Sequence, residues 1–277
     1  MKTLIFGAGW LGTQFGGHLS SEVSRVDIAD RSAVEAELER VKPTHILNTA
    51  GKTGRPNIDW CEDHKLETVS SNITGPLVLL RACLDRGIHL THLSSGCIFD
   101  GAAPGPNGFT EEDSPNPVSF YSWTKAEADE ILKRFPALIL RLRMPIDTEP
   151  NQRNLITKLA GYSHVIDAIN SVTVVADLLT GTAQLMMKGA TGIFNMTNPD
   201  PVRHLDIMRW YTEIVDPSHA YTIIPAENLQ SAGLTKTGRS NCVLDTSKLQ
   251  SAGVHLRPAG EAIRQCLEEY KKHSAQQ

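Results

Sequence analysis

The sequence has little of what marks a disulfide-bonded, membrane-spanning or nucleic-acid-binding protein. Its 277 residues include five cysteines, at positions 61, 83, 97, 242 and 266. They are scattered and odd in number, and no two form a C-x-x-C pair, so neither a structural metal site nor a disulfide framework is expected. No apolar run approaches the roughly 18 residues that a bilayer-spanning helix needs. No stretch is strongly basic and the net charge is −4, so nucleic acid is not an expected partner. The opening "MKTLIFGAGWLG" is too short and too glycine-rich for a signal peptide. A reducing cytoplasm is therefore the expected compartment. No internal repeat or low-complexity segment is present.

What remains is ordinary for a globular chain, with 40% hydrophobic and 21% charged residues. "KTLIFGAG" reads as a strand entering a glycine turn, followed by a short helix over about 11–19. "VSRVDIA" reads as a second strand. "SAVEAELERV" reads as a helix opened by a capping box of Ser32 and Glu35. "THILNTAG" is a third strand, and "NITGPLVLLRACLDRG" a helix ending at Gly87. "IHLTHLSSGCIFD" is a further strand. "SFYSWTKAEADEILKRF" is a helix stopped by Pro136, and "ALILRLRM" a strand stopped by Pro145. This alternation predicts an α/β fold, a Rossmann-type doubly wound parallel sheet with a smaller mixed C-terminal lobe. The expected boundaries are 1–147 with about 170–198 for the nucleotide-binding domain. The lobe takes about 148–169 and 199–277, with "NLITKLAGY" and "EAIRQCLEEYKKH" as helices.

Gly7, Gly9 and Gly12 form G-x-G-x-x-G directly after the first strand. The first permits a tight turn, the second lets a pyrophosphate approach the backbone, and the third allows close helix–strand packing. Trp10 and Leu11 lie at the helix start, where the positive dipole end faces phosphates. Ala50 and Gly51, after the third strand, complete the expected cofactor contacts. The ribose selector belongs on the second strand, where Arg25 favours a 2′-phosphate and Asp27 a free 2′-hydroxyl. The two signals conflict. NADPH is the expected cofactor, with NADH the alternative.

In "YSWTK", Tyr121 and Lys125 are four apart and share a helix face. A lysine there can hold a nicotinamide ribose and favour an ionised phenol, and the tyrosine can protonate a carbonyl as hydride arrives. Ser95 stands near the end of the preceding strand, at the ligand-facing edge of such sheets. Ser95, Tyr121 and Lys125 resemble the Ser/Thr–Tyr–Lys triad of the extended short-chain dehydrogenase/reductases.

Finer segments narrow the resemblance. "SSGCIFDG" and "SNCVLDTSKL" are similar to segments of dTDP-4-dehydrorhamnose reductases. "KPTHILNTAGKTGRPNIDWCEDHKLET", "FYSWTKAEADEIL", "RNLITKLAGY" and "GIFNMTNP" resemble nucleotide-rhamnose synthase/epimerase-reductases. Residues 13–30 depart, being several residues shorter than in the plant enzymes. The resemblance implies a UDP- or dTDP-4-keto-6-deoxyglucose substrate, inverted at C3 and C5 and reduced at C4. It implies Cys97, two residues after Ser95, as one acid/base and Lys158 as the group on the opposite face. On residue type alone Cys97 reads as a packed apolar side chain, and it is the resemblance that reverses this reading. Arg239 is an expected diphosphate clamp. Arg55 and Asn57, with Asp59, Asn72 and Asn154, are further expected contacts, Asn72 alternatively being a cap or core hydrogen bond. A homodimer is carried as an expectation. The competing readings are a reductase fed by a separate epimerase and a dinucleotide-sensing subunit without turnover.

Overall fold

The computed structural model describes residues 1–226 and 228–274. The elements run β1 (Thr3–Phe6), α1 (Trp10–Leu19), β2 (Glu22–Ser24), α2 (Arg31–Val41), β3 (His45–Asn48), α3 (Trp60–Asp63) and α4 (Lys65–Val69). A π-helical turn (Ser70–Thr74) leads into α5 (Gly75–Leu84), then β4 (His89–Ser95), a 3₁₀ turn (Gly96–Ile98), α6 (Phe120–Leu132) and β5 (Ala137–Leu142). Then come β6 (Pro145–Ile146), α7 (Leu155–Ala160), β7 (His164–Ile166), β8 (Ile169–Asn170), β9 (Thr173–Val174), α8 (Val175–Met187) and β10 (Gly192–Asn195). The chain closes with β11 (Val202–Arg203), α9 (His204–Ile214), β12 (Thr222–Ile224), α10 (Asn228–Ser231), α11 (Ser247–Ser251) and α12 (Ala259–Ser274).

Two compact units emerge. The first comprises 1–98, 114–141 and 182–194; the second 99–113, 142–181 and 195–277. The first unit carries a six-stranded sheet in the order β10-β5-β4-β3-β1-β2, with β1–β2, β1–β3 and β3–β4 parallel. This is the expected doubly wound α/β fold. β1, β3 and β5 are almost wholly buried, which explains why they read as near-continuous apolar runs rather than alternating ones. Leu4, Phe6, Ile46, Leu90 and Ile139 form the core with Val34 and Leu38 of α2 and Leu79 and Ala82 of α5.

The second unit is built on a separate core of Ile156, Leu159, Val174, Ile207, Met208, Ile263 and Leu267. In α12, Ile263, Cys266, Leu267 and Tyr270 recur at helical spacing and are buried.

Four expectations change. The second strand ends at Ser24. There the Ser24 hydroxyl accepts the Val26 N–H and the Asp27 carboxylate accepts the Ala29 N–H, so side chains turn the backbone out of the ladder. The helix read with a Ser32 capping box starts earlier, at Arg31. Its cap is Asp30, which accepts the Ala33 N–H, and Glu35 pairs with Arg31 instead. The "IHLTHLSSGCIFD" strand stops at Ser95, so position 97 lies on the 3₁₀ turn. Pro145 does not end extended structure; it begins β6, which pairs with β9, a first-residue position that needs no ladder N–H.

The compact units also divide the chain differently from the expected boundaries. Segments 99–113, 142–147, 170–181 and 195–198 join the second unit. Phe109 exchanges backbone hydrogen bonds with Val243 and Asp245, and the Asn241 N–H bonds the Asp100 carboxylate. The Thr173 hydroxyl donates to the Met196 carbonyl.

Because Asp30 caps α2, Asp30→Ala should cost about 0.5–2 kcal/mol, while Ser32→Ala should stay within about 0.5 kcal/mol. Denaturant midpoints of the two variants decide it, and equal losses would restore the capping box.

Candidate active site

The glycine turn is shaped by three different demands. Gly7 has φ +104°, and a Cβ there would lie 2.5 Å from the Ala50 nitrogen. A Cβ on Gly12 would lie 1.8 Å from the Gly7 carbonyl oxygen, so α1 can pack on the strand only without a side chain. Around Gly9 a Cβ would meet nothing within 4 Å. Gly9 is the N-cap of α1, and no side chain caps that helix. Two tight glycines and one open one, at the N-terminus of a ten-residue helix, fit a dinucleotide pyrophosphate. Trp10 and Leu11 form the first turn beside it.

The Gly7 N–H donates to the Ser24 carbonyl, which places Arg25 next to the turn. Arg25 and Asp27 are both exposed, but one Asp27 oxygen is engaged by the Ala29 N–H. Ala50 follows β3 and donates its N–H to Asn48 Oδ1; Gly51 is exposed beside it.

Ser95 is the last residue of β4, and its Oγ accepts the Cys97 N–H at 3.2 Å. That bond leaves the hydroxyl proton to donate elsewhere. Cys97 is half-buried, whereas Cys61, Cys83, Cys242 and Cys266 are buried. Burial pushes the Cys83 and Cys266 thiols up to about 12, so neither ionises near neutrality.

Tyr121 lies in the first turn of α6. Two groups fix that helix end: the Ser119 hydroxyl accepts the Ser122 N–H, and Glu62 Oε1 accepts the Phe120 N–H at 2.9 Å. One turn on, Lys125 is 4% exposed. Its Nζ donates to the Leu93 carbonyl at 2.9 Å and lies 3.2 Å from His92 Nε2. Burial lowers Lys125 to about 8, partly offset by Asp129. Burial, and then the nearby Lys125 charge, hold His92 well below the usual imidazole range.

The remaining expected residues divide. Asn72 is buried in the π-helical turn. Its amide donates to the Lys52 carbonyl and Thr124 Oγ1 and accepts the Lys52 N–H. Thr124 in turn donates to the Tyr121 carbonyl, so Asn72 braces the tyrosine helix from the core. Asn154 caps α7: Oδ1 accepts the Ile156 and Asp147 N–H groups, and Nδ2 donates to the Asp147 and Glu149 carbonyls. All its hydrogen-bonding capacity is spent inside the fold, which corrects its assignment as a substrate contact. Arg55 is exposed, and Asn57 turns the loop by accepting the Asp59 N–H. Lys158 stands in α7 of the second unit, half-buried, while Cys97 belongs to the first unit. In the second unit a cavity of about 230 Å³ is lined by Asp100, Leu229, Gln230, Thr235, Arg239 and Asn241.

Sequence reasoning missed Glu62, Asn48 and His92. Glu62 is separated from α6 by 58 positions, so nothing local announces it. Asn48 did carry a signal, as a polar residue directly after the apolar Ile46 and Leu47, whereas His92 lies among the other polar residues of β4.

Residues 1–272 match the family described as RmlD substrate binding domain. The chain is 39% identical over 273 residues to a bifunctional dTDP-4-dehydrorhamnose 3,5-epimerase/dTDP-4-dehydrorhamnose reductase of Arabidopsis thaliana, covering 94% of this chain and 90% of that one. It is 38% identical to a trifunctional UDP-glucose 4,6-dehydratase/UDP-4-keto-6-deoxy-D-glucose 3,5-epimerase/UDP-4-keto-L-rhamnose-reductase of the same plant, spanning 41% of that longer protein. The crystal structure of the L780 UDP-rhamnose synthase of Acanthamoeba polyphaga mimivirus superposes with a TM-score of 0.90 at 35% identity, covering 97% of this chain and 99% of that one. With the glycine turn and the Ser95, Tyr121 and Lys125 set in one α/β unit, this chain belongs to the RmlD substrate-binding-domain family.

Proposed function

We propose that the protein is a bifunctional enzyme that epimerises a nucleotide-4-keto-6-deoxy-D-glucose at C3 and C5 and reduces C4, giving the nucleotide-L-rhamnose. The observation that carries the reading is the end of β4, where a half-buried cysteine donates its amide to the serine of a Ser–Tyr–Lys set. The relatives named as epimerase/reductases support the same substrate class.

The C4 ketone acidifies the protons at C3 and C5. Inversion needs a proton removed from one face and another returned from the opposite face, hence two acid/base groups. Cys97 serves one face and Lys158 the other. The half-buried thiol at position 97 can reach solvent, and hence exchange its proton, as the four buried thiols cannot. For reduction, the bound nicotinamide supplies hydride to C4. The Ser95 hydroxyl hydrogen-bonds the C4 oxygen without giving up its proton, while its Oγ accepts the Cys97 N–H. Tyr121 delivers the proton that completes the alcohol, and Lys125 holds the ribose. The Gly7–Gly9–Gly12 turn and the α1 N-terminus receive the pyrophosphate. Arg239, in the wall of the second unit's cavity, clamps the substrate diphosphate. Arg55 and Asn57 contact the sugar.

NADPH is the proposed cofactor. Arg25 follows directly on the strand that bonds the glycine turn, whereas Asp27 has one oxygen occupied by its own turn. Arg25→Ala should therefore weaken NADPH use and leave NADH use nearly unchanged in steady-state kinetics. A preference for NADH in the unaltered protein that survives this change would make Asp27 the reader.

Tyr121→Phe keeps the ring and removes the proton donor. Reduction should fall about 10²–10⁴-fold while cofactor affinity holds; a near-normal rate would dismiss Tyr121 as the acid. Cys97→Ser should stop solvent deuterium from entering C3 and C5, because a hydroxyl is a far poorer base than a thiol. The hydride step should persist and yield a 4-reduced D-sugar. Deuterium at both carbons in that variant would return Cys97 to a packing role.

A further inference from the structure

The buried chain Asn48–His92–Lys125 has a direction that its hydrogen-bond chemistry fixes. Asn48 Oδ1 accepts the Ala50 N–H at 3.0 Å. The atom facing His92 Nδ1 at 2.9 Å is therefore the amide nitrogen, a donor. Nδ1 must accept, so a neutral imidazole carries its single proton on Nε2. Nε2 lies 3.2 Å from Lys125 Nζ. An ammonium there sets N–H against N–H. An amine accepts from Nε2–H and still donates to the Leu93 carbonyl at 2.9 Å. Charging the lysine mispairs something: Nζ itself, Asn48 if the imidazole changes tautomer, or the Ala50 N–H if the amide turns over. In a site where Asn48 and His92 are both 0% exposed, no water relieves the mismatch cheaply.

We propose that His92, oriented by Asn48, is a positioning residue of the reductive centre that holds Lys125 against β4 and favours its amine form, so that this chain sets the upper pH limit for the lysine's charge beside Tyr121. The proposal rests on the reading of Tyr121 and Lys125 as the reductive pair. Its geometry agrees with the downward displacement of Lys125 by burial to about 8. The other groups around the lysine are few. Asp129 lies one turn further along α6 and is paired with Arg141 at 3.0 Å, and Tyr121 lies one turn before. Glu62 and Lys65 meet Phe120 at the start of α6. On the sheet side, His45 and His89 stand at the opposite ends of β3 and β4.

Two measurements on the full chain test this. The first is ¹⁵N NMR of the His92 ring in the unaltered protein, which needs neither substrate nor cofactor. The Nε2–H tautomer is expected; an Nδ1–H tautomer or an imidazolium overturns the proposal. The second is the alkaline limb of the kcat/KM profile for ketone reduction. Asn48→Asp replaces the amide donor by an acceptor, which moves the imidazole proton to Nδ1 and turns Nε2 towards the ammonium as an acceptor. The limb should move up by about one pH unit, read as a tenfold gain in kcat/KM beyond the original limb. In a His92→Phe background the same Asn48→Asp change should leave the limb in place, because the relay is gone. A limb that ignores Asn48→Asp, or moves equally in both backgrounds through plain charge, overturns the proposal. If Tyr121 and Lys125 were not the reductive pair, Tyr121→Phe would itself reduce the ketone at a near-normal rate; where Tyr121→Phe is inactive, a limb that ignores Asn48→Asp counts against the proposal alone. The two failures are thus distinguishable.

Discussion

Parallel register is the constraint on which the site depends. Ser24, Phe6, Asn48 and His92 are Cα partners in one row across β2, β1, β3 and β4. The candidate site residues stand just past that row: Arg25 after Ser24, Gly7 after Phe6, Ala50 and Gly51 after Asn48, Ser95 after His92. A slip of one residue in any strand would turn its side chains to the other face and break the Asn48–His92 contact. The buried apolar strands fix the register because no other alignment keeps both faces dry. Core packing and the geometry of the edge are therefore one requirement.

The helix laid on this edge is pinned from several directions. Ser119 and Glu62 satisfy amides at its N-terminus, Asn72 reaches it through Thr124, and Lys125 ties it to β4. The Asp129–Arg141 pair, almost wholly buried, closes the far end. Only Ser119 among these anchors is local. The others join residues 12 to 58 positions apart, and together they fix the helix that carries Tyr121.

Much of this was legible in the sequence, and what escaped has physical reasons. The glycine turn, the strand–helix alternation and the Y-x-x-x-K spacing are local patterns, and they appear as expected. The end of β2 escaped because Ser24 and Asp27 bend the chain with their own side chains, which an apolar pattern does not register. The cap of α2 went to Asp30 rather than Ser32 because both residues are good caps and one position separates them. Asn72 and Asn154 were expected as ligand contacts but are buried, the Asn154 amide committed to backbone partners and the Asn72 amide to the Lys52 backbone and Thr124 Oγ1. The compact units divide the chain differently from the expected boundaries because an isolated bridge pairs Phe109 with Leu244. Such long-range pairs leave no local period. His92 is one of several polar residues in β4, and its partner becomes visible only once β3 and β4 are aligned.

The chemical economy of the site lies in one short segment. In the proposed reading Ser95 orients the ketone and Cys97, two residues on and only half-buried, exchanges the protons, so that one strand end would supply both reduction and inversion. Conversion of UDP-4-keto-6-deoxyglucose by the unaltered protein with NADPH in D₂O, read by NMR, tests this most directly. The account predicts a product of L-rhamno configuration with deuterium at both C3 and C5. A 4-reduced D-sugar carrying no deuterium at those carbons, or no oxidation of NADPH at all, would contradict it.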